Sequence, residues 1–158
     1  MREFGRPRHY PSDAMRLSIR KVRGAPRHPL YPGLTAARAA GAKGEHVALA
    51  GSFDELARAR AAGARARRAV FVLHYSGRPL LSEGERDALW EMFRAPVYGL
   101  LLGRDGRVLG YECEAQDGLH AGANWAPAAG LMEAVPCCCG RPGVRLVAEA
   151  LATAQAAD

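Results

Sequence analysis

Residues 69–75 read Ala-Val-Phe-Val-Leu-His-Tyr, an apolar run that decides the fold of this chain. Valine, phenylalanine and tyrosine favour strands, and a short continuous run of such residues is typical of a strand buried on both faces. Residues 76–79, Ser-Gly-Arg-Pro, end the run with turn-forming residues. The sequence therefore predicts a buried strand at 69–75, in which we interpret His74 as a core histidine rather than a metal ligand.

A capping box stands on each side of this predicted strand. In Ser52-Phe-Asp-Glu55 and in Ser82-Glu-Gly-Glu85, the serine oxygen accepts an orphan amide hydrogen and the glutamate three residues later bonds back to the serine N–H. The first box predicts a helix to about Ala62, and the second predicts a helix to about Phe93 that is closed by Pro96.

Three further apolar runs complete the predicted sheet. Residues 46–50 precede the first helix, 97–102 follow the second, and 107–113 come after a Gly-Arg-Asp-Gly turn at 103–106. Strands that alternate with helices predict parallel pairing through crossovers, and Asp-Gly between two apolar runs predicts a hairpin. The sequence therefore predicts an α/β fold of two or three layers, with a βαβαβ-hairpin order.

Charge and proline are distributed unevenly along the chain. The 158 residues are 49% hydrophobic, which is enough for one domain with a core, and the formal net charge is +6. Residues 1–43 hold ten lysines and arginines, two acidic residues and five prolines. We therefore predict a partly disordered basic Pro/Arg-rich arm at 1–43, an α/β domain at 44–150 and a C-terminal tail at 151–158.

Membrane and secretory functions are not expected from this sequence. No apolar run approaches about 18 residues, so no transmembrane helix is predicted. The first residues, Met-Arg-Glu-Phe-Gly-Arg-Pro-Arg, lack the apolar stretch of a secretory signal, so we expect a cytoplasmic protein with no membrane contact. A basic arm can also neutralise phosphates, which predicts weak contact with nucleic acid.

Four cysteines and one histidine form the constellation that most indicates specific chemistry. His120 follows Cys113, and Cys137, Cys138 and Cys139 stand in one run. Thiolate and imidazole are ligands that Zn²⁺ prefers, and a structural zinc site takes four ligands. Cys113, His120, Cys137 and Cys139 supply one such set, which leaves Cys138 as a spare thiol without a role as a ligand. Inert buried thiols and redox or disulfide chemistry remain open alternatives, although adjacent cysteines pair with each other only under strain.

Four segments resemble the phenylacetate–coenzyme A ligase family of adenylate-forming enzymes. Residues 77–86 are similar to the family's glycine–acid–proline loop and the helix behind it, and 96–99 to its tyrosine–glycine strand. The closest similarity is at 111–120, Tyr-Glu-Cys-Glu-Ala-Gln-Asp-Gly-Leu-His, followed by 136–141, Pro-Cys-Cys-Cys-Gly-Arg. In members of the family these last two segments supply a zinc site. The resemblance thus implies Zn²⁺ bound at one end of the sheet by Cys113, His120, Cys137 and Cys139.

The same resemblance argues against ligase activity. In the family, tyrosine–glycine leads into a serine– or threonine–glutamate pair that supports ATP and Mg²⁺, whereas here Tyr98-Gly99 is followed by leucines at 100–102. The family's phosphate loop and lysine-bearing C-terminal domain also have no counterpart in this sequence. We therefore expect no acyl-adenylate chemistry from this chain alone.

These observations predict a small zinc-binding α/β protein with a non-catalytic binding or scaffold role and another protein as its partner. One alternative is a basic zinc protein that binds nucleic acid. Another alternative is an accessory fragment of a split adenylate-forming CoA ligase.

Overall fold

A mixed sheet and two helices make up the described part of the computed structural model. The described residues are 18–19, 35–75, 80–103, 106, 108–122, 132–133, 136–141 and 145–146. In chain order the elements are β1 (Ser18–Ile19), β2 (Thr35–Arg38), β3 (Glu45–Gly51), α1 (Phe53–Ala61), β4 (Arg65–Tyr75), α2 (Glu83–Phe93), β5 (Val97–Leu102), β6 (Val108–Tyr111), β7 (Leu119–Ala121), β8 (Met132–Glu133) and β9 (Arg145–Leu146).

The sheet changes from parallel to antiparallel at β5. Its spatial order is β1-β2-β3-β4-β5-β6-β7-β9-β8, and each pair from β1 to β5 is parallel. The β5–β6, β6–β7, β7–β9 and β8–β9 pairs are antiparallel. The predicted α/β class is therefore confirmed.

Both helices begin at the predicted capping boxes. In each box the serine Oγ accepts from the glutamate N–H at 3.2 Å, and the glutamate carboxylate accepts from the serine N–H at 2.9 Å. The C-terminal ends use left-handed backbone, at Gly63 after α1 and at Arg94 after α2. Neither of these helices in the described part of the chain has the length and apolar character needed to cross a membrane.

Both helices pack on the same face of the sheet. Since side chains alternate between faces along a strand, the two apolar clusters belong to opposite faces. The cluster on the helical face joins strand residues Leu49, Val70, Val72 and Val97 with Leu56, Leu89 and Phe93 of the helices. The cluster on the other face includes Ala48, Ala50, Phe71, Tyr98, Leu100 and Leu102, and the rings of Phe71 and Tyr98 stack at 5.8 Å.

Pairing extends two parts of the sheet beyond the predicted strands. Strand β4 begins at Arg65 rather than at residue 69, because its first residues pair with the start of β3. Strand β2 lies within the segment predicted as an arm, and Ala36, Ala39 and Ala42 are buried. Residues 35–42 therefore contribute to the core, while the division into arm, domain and tail stays a prediction. The tail at 151–158 lies outside the described residues.

A buried ion pair fastens α2 to the sheet. The guanidinium of Arg86 donates to both carboxylate oxygens of Glu112, at 2.5 and 3.1 Å, and the N–H of Gly99 donates to the same carboxylate at 2.6 Å. Glycine gives this carboxylate room, because a Cβ at residue 99 would lie 3.3 Å from Glu112 Cδ and 3.5 Å from the Nε2 atom of the buried His74. Three hydrogen bonds therefore compensate the burial of this carboxylate.

Replacing Glu112 by Gln should lower the free energy of unfolding by about 3 kcal/mol, since the substitution leaves the Arg86 guanidinium partly buried without a counter-ion. Urea denaturation at neutral pH, followed by circular dichroism, measures the change. The matched control is Glu91→Gln, which removes the exposed partner of Arg94 and should cost less than about 1 kcal/mol. Equal losses in the two variants would contradict the role given to Glu112.

Candidate metal centre

The structure brings the four residues predicted as metal ligands together beyond the antiparallel end of the sheet. Cys113 follows β6, His120 lies in β7, and Cys137 and Cys139 lie in a turn that precedes β9. Their potential ligand atoms all lie within 4.8 Å of one another. Three of the residues are buried and Cys139 is half-buried, so a metal ion could be held among them.

Two of the distances between these atoms are close to those of a tetrahedral metal site. The Sγ atoms of Cys113 and Cys137 are 3.6 Å apart, and Cys139 Sγ is 3.5 Å from His120 Nε2. Bonds of about 2.3 Å to sulfur and about 2.0 Å to nitrogen, at tetrahedral angles, separate two sulfurs by about 3.8 Å and a sulfur from a nitrogen by about 3.5 Å. Both measured distances fall close to these values.

Two tight turns carry the three thiols. In the first turn Gln116 N–H donates to the carbonyl of Cys113 at 3.0 Å, and Ala115 N–H points at Cys113 Sγ at 3.4 Å. In the second turn Gly140 N–H donates to the carbonyl of Cys137 at 3.1 Å. Gln116 and Gly140 both have positive φ, 52° and 77° respectively, and this left-handed backbone turns the chain back after each thiol.

The imidazole of His120 is oriented by its strand and by an aromatic neighbour. His120 pairs with Tyr111 on β6 and with Arg145 on β9, and the Tyr111 and His120 rings stack at 5.4 Å. Burial lowers the pKa of His120, and the nearby charge of Arg141 lowers it further. The imidazole is therefore neutral near pH 7, which is the form that binds metals.

The thiols differ in how readily they ionise. Burial raises the pKa of Cys113 well above its ordinary value, and burial also raises the pKa of Cys137. For Cys139 burial alone would raise the pKa, but hydrogen bonds from the Arg141 N–H, from the other two thiols and from the Arg141 guanidinium outweigh it, so its pKa is lowered. A bound cation would favour the thiolate form of all three.

Two ion pairs join the segments that carry the ligands. Arg141 binds the carboxylate of Glu114, which links the two cysteine turns, and Arg145 binds Asp117, which links β9 to the first turn. Sequence reasoning missed both pairs. The available signal was that acidic residues flank Cys113 while arginines follow Cys139.

Cys138 is the thiol that the cluster leaves out. Cys138 is exposed, and all four cysteines are free thiols. The predicted role of Cys138 as the spare cysteine stays a prediction. The hydrogen bond from Gly140 N–H to the Cys137 carbonyl closes the turn that carries the three adjacent cysteines, and the cluster contains the sulfur atoms of Cys137 and Cys139.

A cleft of about 520 Å³ adjoins the first cysteine turn. His74 and the Arg86–Glu112 ion pair form part of its wall, together with Gln116 and Asp117 from the turn. The carboxylate of Glu112 is already bound by Arg86 and by the Gly99 N–H, so this carboxylate serves the fold rather than a ligand.

No protein-family model, curated protein or solved structure matches this chain. Its function is therefore inferred from the chemistry of the cluster. Three thiols and one imidazole would together fill the four positions of a tetrahedral metal and leave no open position for a substrate, which is typical of a structural site rather than a catalytic one.

In metal-free protein, iodoacetamide at pH 7 should modify Cys139 well before Cys113. The lowered pKa of Cys139 gives more thiolate at that pH, whereas the raised pKa of Cys113 keeps it protonated until the pH is well above neutral. Tandem mass spectrometry after timed alkylation at pH 7 and pH 9 assigns the modified residues. Equal alkylation rates for Cys113 and Cys139 at pH 7 would contradict the lower pKa of Cys139.

Proposed function

We propose that this chain is a zinc protein in which Cys113, His120, Cys137 and Cys139 hold one structural Zn²⁺ ion as a knot at one end of the sheet. The observation that carries the proposal is the convergence of three sulfurs and one nitrogen within 4.8 Å of one another. Zn²⁺ takes four ligands of this kind, whereas Mg²⁺ and Ca²⁺ prefer oxygen ligands, which the cluster does not contain.

Among the described residues, the zinc ion reinforces a part of the fold that is held by short strands and two partly exposed ion pairs. Strand β7 has three residues and β9 has two, so few backbone hydrogen bonds fix their positions. A metal bonded to both cysteine turns and to β7 links the neighbouring first turn and β7 to the second turn, since Cys113 and Cys137 are 24 residues apart. The free energy of metal binding is then part of the free energy of folding.

The chain is also proposed to be a non-catalytic relative of part of the phenylacetate–coenzyme A ligase family. The segments that resemble the family, 111–120 and 136–141, contain the residues of the Cys/His cluster, which supports the relationship. In β5 the three residues after Gly99 are the buried leucines 100–102, and leucine offers no ligand for a magnesium-bound phosphate. The role that follows is binding or scaffolding, with another protein as the partner.

Purified protein should contain one zinc ion per chain, measured by plasma mass spectrometry with protein quantified by amino-acid analysis. Cys113→Ser and Cys139→Ser should each lose most of this zinc and lower the melting temperature, since each removes one of four ligands. The matched control is Cys138→Ser, in the same turn and exposed, which should keep both zinc and melting temperature.

Differential alkylation gives a second readout of the same site. Zinc added back to stripped protein should protect Cys113, Cys137 and Cys139 from iodoacetamide and leave Cys138 reactive. Full zinc content in both ligand variants, or equal protection of Cys138, would rule the proposed ligand set out.

The pure chain should show no pyrophosphate exchange with ATP above the blank when phenylacetate or another aromatic acid is supplied. The physical reason is the leucines at 100–102, where a magnesium-bound triphosphate would need polar and acidic side chains. A radiolabelled pyrophosphate exchange assay, with an active adenylating enzyme as positive control, measures it. Exchange that depends on the added acid would overturn the non-catalytic assignment.

A further inference from the structure

The end of the sheet at which β3 and β4 begin carries a group of exposed basic side chains. We call this group the basic edge, and its members are Lys43, Arg58, Arg65, Arg67 and Arg68. All five side chains belong to the described part of the chain, lie on its surface, and are separate from the basic charges at 1–34.

Pairing with the start of β3 positions the three arginines that belong to β4, at 65, 67 and 68. Lys43 just precedes β3, and Arg58 lies in the last turn of α1, shortly before β4. Glu45 at the start of β3 pairs with Arg65, whose N–H also donates to the carbonyl of Gly44 at 2.8 Å. The register between the strands then shifts, because His46 pairs with Ala66 whereas Ala48 pairs with Ala69. Strand β4 therefore carries one extra residue at this point. This bulge gives β4 two consecutive exposed arginines, 67 and 68, where a regular strand would bury one of them.

The fold itself uses little of this charge. Among the described residues, Arg67 pairs with Glu45 at 3.2 Å, but both side chains are more than half exposed, so the pair contributes little. Arg58 lies in the last turn of α1, where a positive charge complements the helix dipole. No such local role accounts for Lys43, Arg65 and Arg68 within the described residues.

We propose that the basic edge binds the phosphate backbone of nucleic acid without regard to base sequence. Four of its five side chains are guanidinium groups, whose planar donors match phosphate oxygens in pairs. Among the described residues, the exposed large apolar side chains are Val47, Tyr75 and Trp90. Of these only Val47, near the start of β3, is close to the basic edge in the paired strands. An edge without an aromatic platform contacts phosphates rather than stacking on bases, and one valine is too little apolar surface to insert into a bilayer.

The proposal is independent of the metal centre. The zinc ligands lie on and after β6, and β5 separates that region from β3 and β4 in the sheet. Loss of zinc and loss of nucleic-acid binding can therefore be produced by different substitutions.

The test is fluorescence anisotropy of the full chain with labelled mixed-sequence DNA of about 20 nucleotides, single-stranded and duplex, between about 50 and 200 mM salt. Arg68→Gln should weaken binding several-fold. Arg65→Gln/Arg68→Gln should weaken it at least about tenfold at low salt and reduce the slope of log affinity against log salt by about 0.7 to 0.9 per lost contact. The matched control is Arg38→Gln, an exposed arginine of β2 that pairs beside Ala50, at the opposite end of β3.

The proposal is supported if the basic-edge variants lose affinity while Arg38→Gln stays within about twofold of the parent and all melting temperatures agree. It is overturned by absence of binding in the parent chain, by unchanged affinity of the double variant, or by equal losses in Arg68→Gln and Arg38→Gln, which would indicate a response to net charge alone. Tighter binding to phosphatidylserine vesicles than to either DNA would overturn it in favour of a lipid surface.

Discussion

The carboxylate of Glu112 is the point at which the helical layer, the sheet and the metal centre meet. It accepts hydrogen bonds from Arg86 of α2 and from the backbone of Gly99 in β5, and the next residue in the chain is Cys113. Breaking a buried ion pair by removing one partner costs about 3–5 kcal/mol, so this contact strongly favours one position of α2 against β5. Cys113, the first residue of the Cys/His cluster, directly follows this anchored residue, so the α/β part of the fold positions the start of the candidate metal centre.

The remainder of the metal centre depends on interactions that are few but specific. The strands near it are short, and two arginine–carboxylate pairs, Arg141 with Glu114 and Arg145 with Asp117, tie its segments together. Both pairs are partly exposed, so each contributes modestly to stability. Their more important effect is to restrict the two cysteine turns to fewer arrangements. This restriction lowers the conformational entropy that the protein loses when a metal ion binds.

The two ends of the parallel sheet differ in charge, and the helix dipoles account for part of the difference. Helix α2 begins at the cleft, where Glu83 and Glu85 in its first turn face a positive helix terminus. Helix α1 ends at the opposite side, where Arg58 and Arg60 face a negative terminus, and Arg60 donates to the carbonyl of Met92. Capping and dipole effects thus favour acidic residues at the end where α2 begins and basic residues at the end where α1 finishes. The arginines of β4 add more positive charge to this second end than the dipole of α1 accounts for.

Local signals in the sequence determined the two helices, the α/β class and the strand at 97–102, because capping boxes and apolar runs act over a few neighbouring residues. The types of the four ligands also predicted which side chains converge, although the identity of the metal stays a proposal. Only the tertiary structure decided that the alanine-rich segment 35–38 is a strand, since β3 supplies the hydrogen bonds that its own propensity does not. The same is true of the Arg86–Glu112 pair, whose members are 26 residues apart. Such contacts depend on how distant segments pack, and no local pattern of residues encodes them.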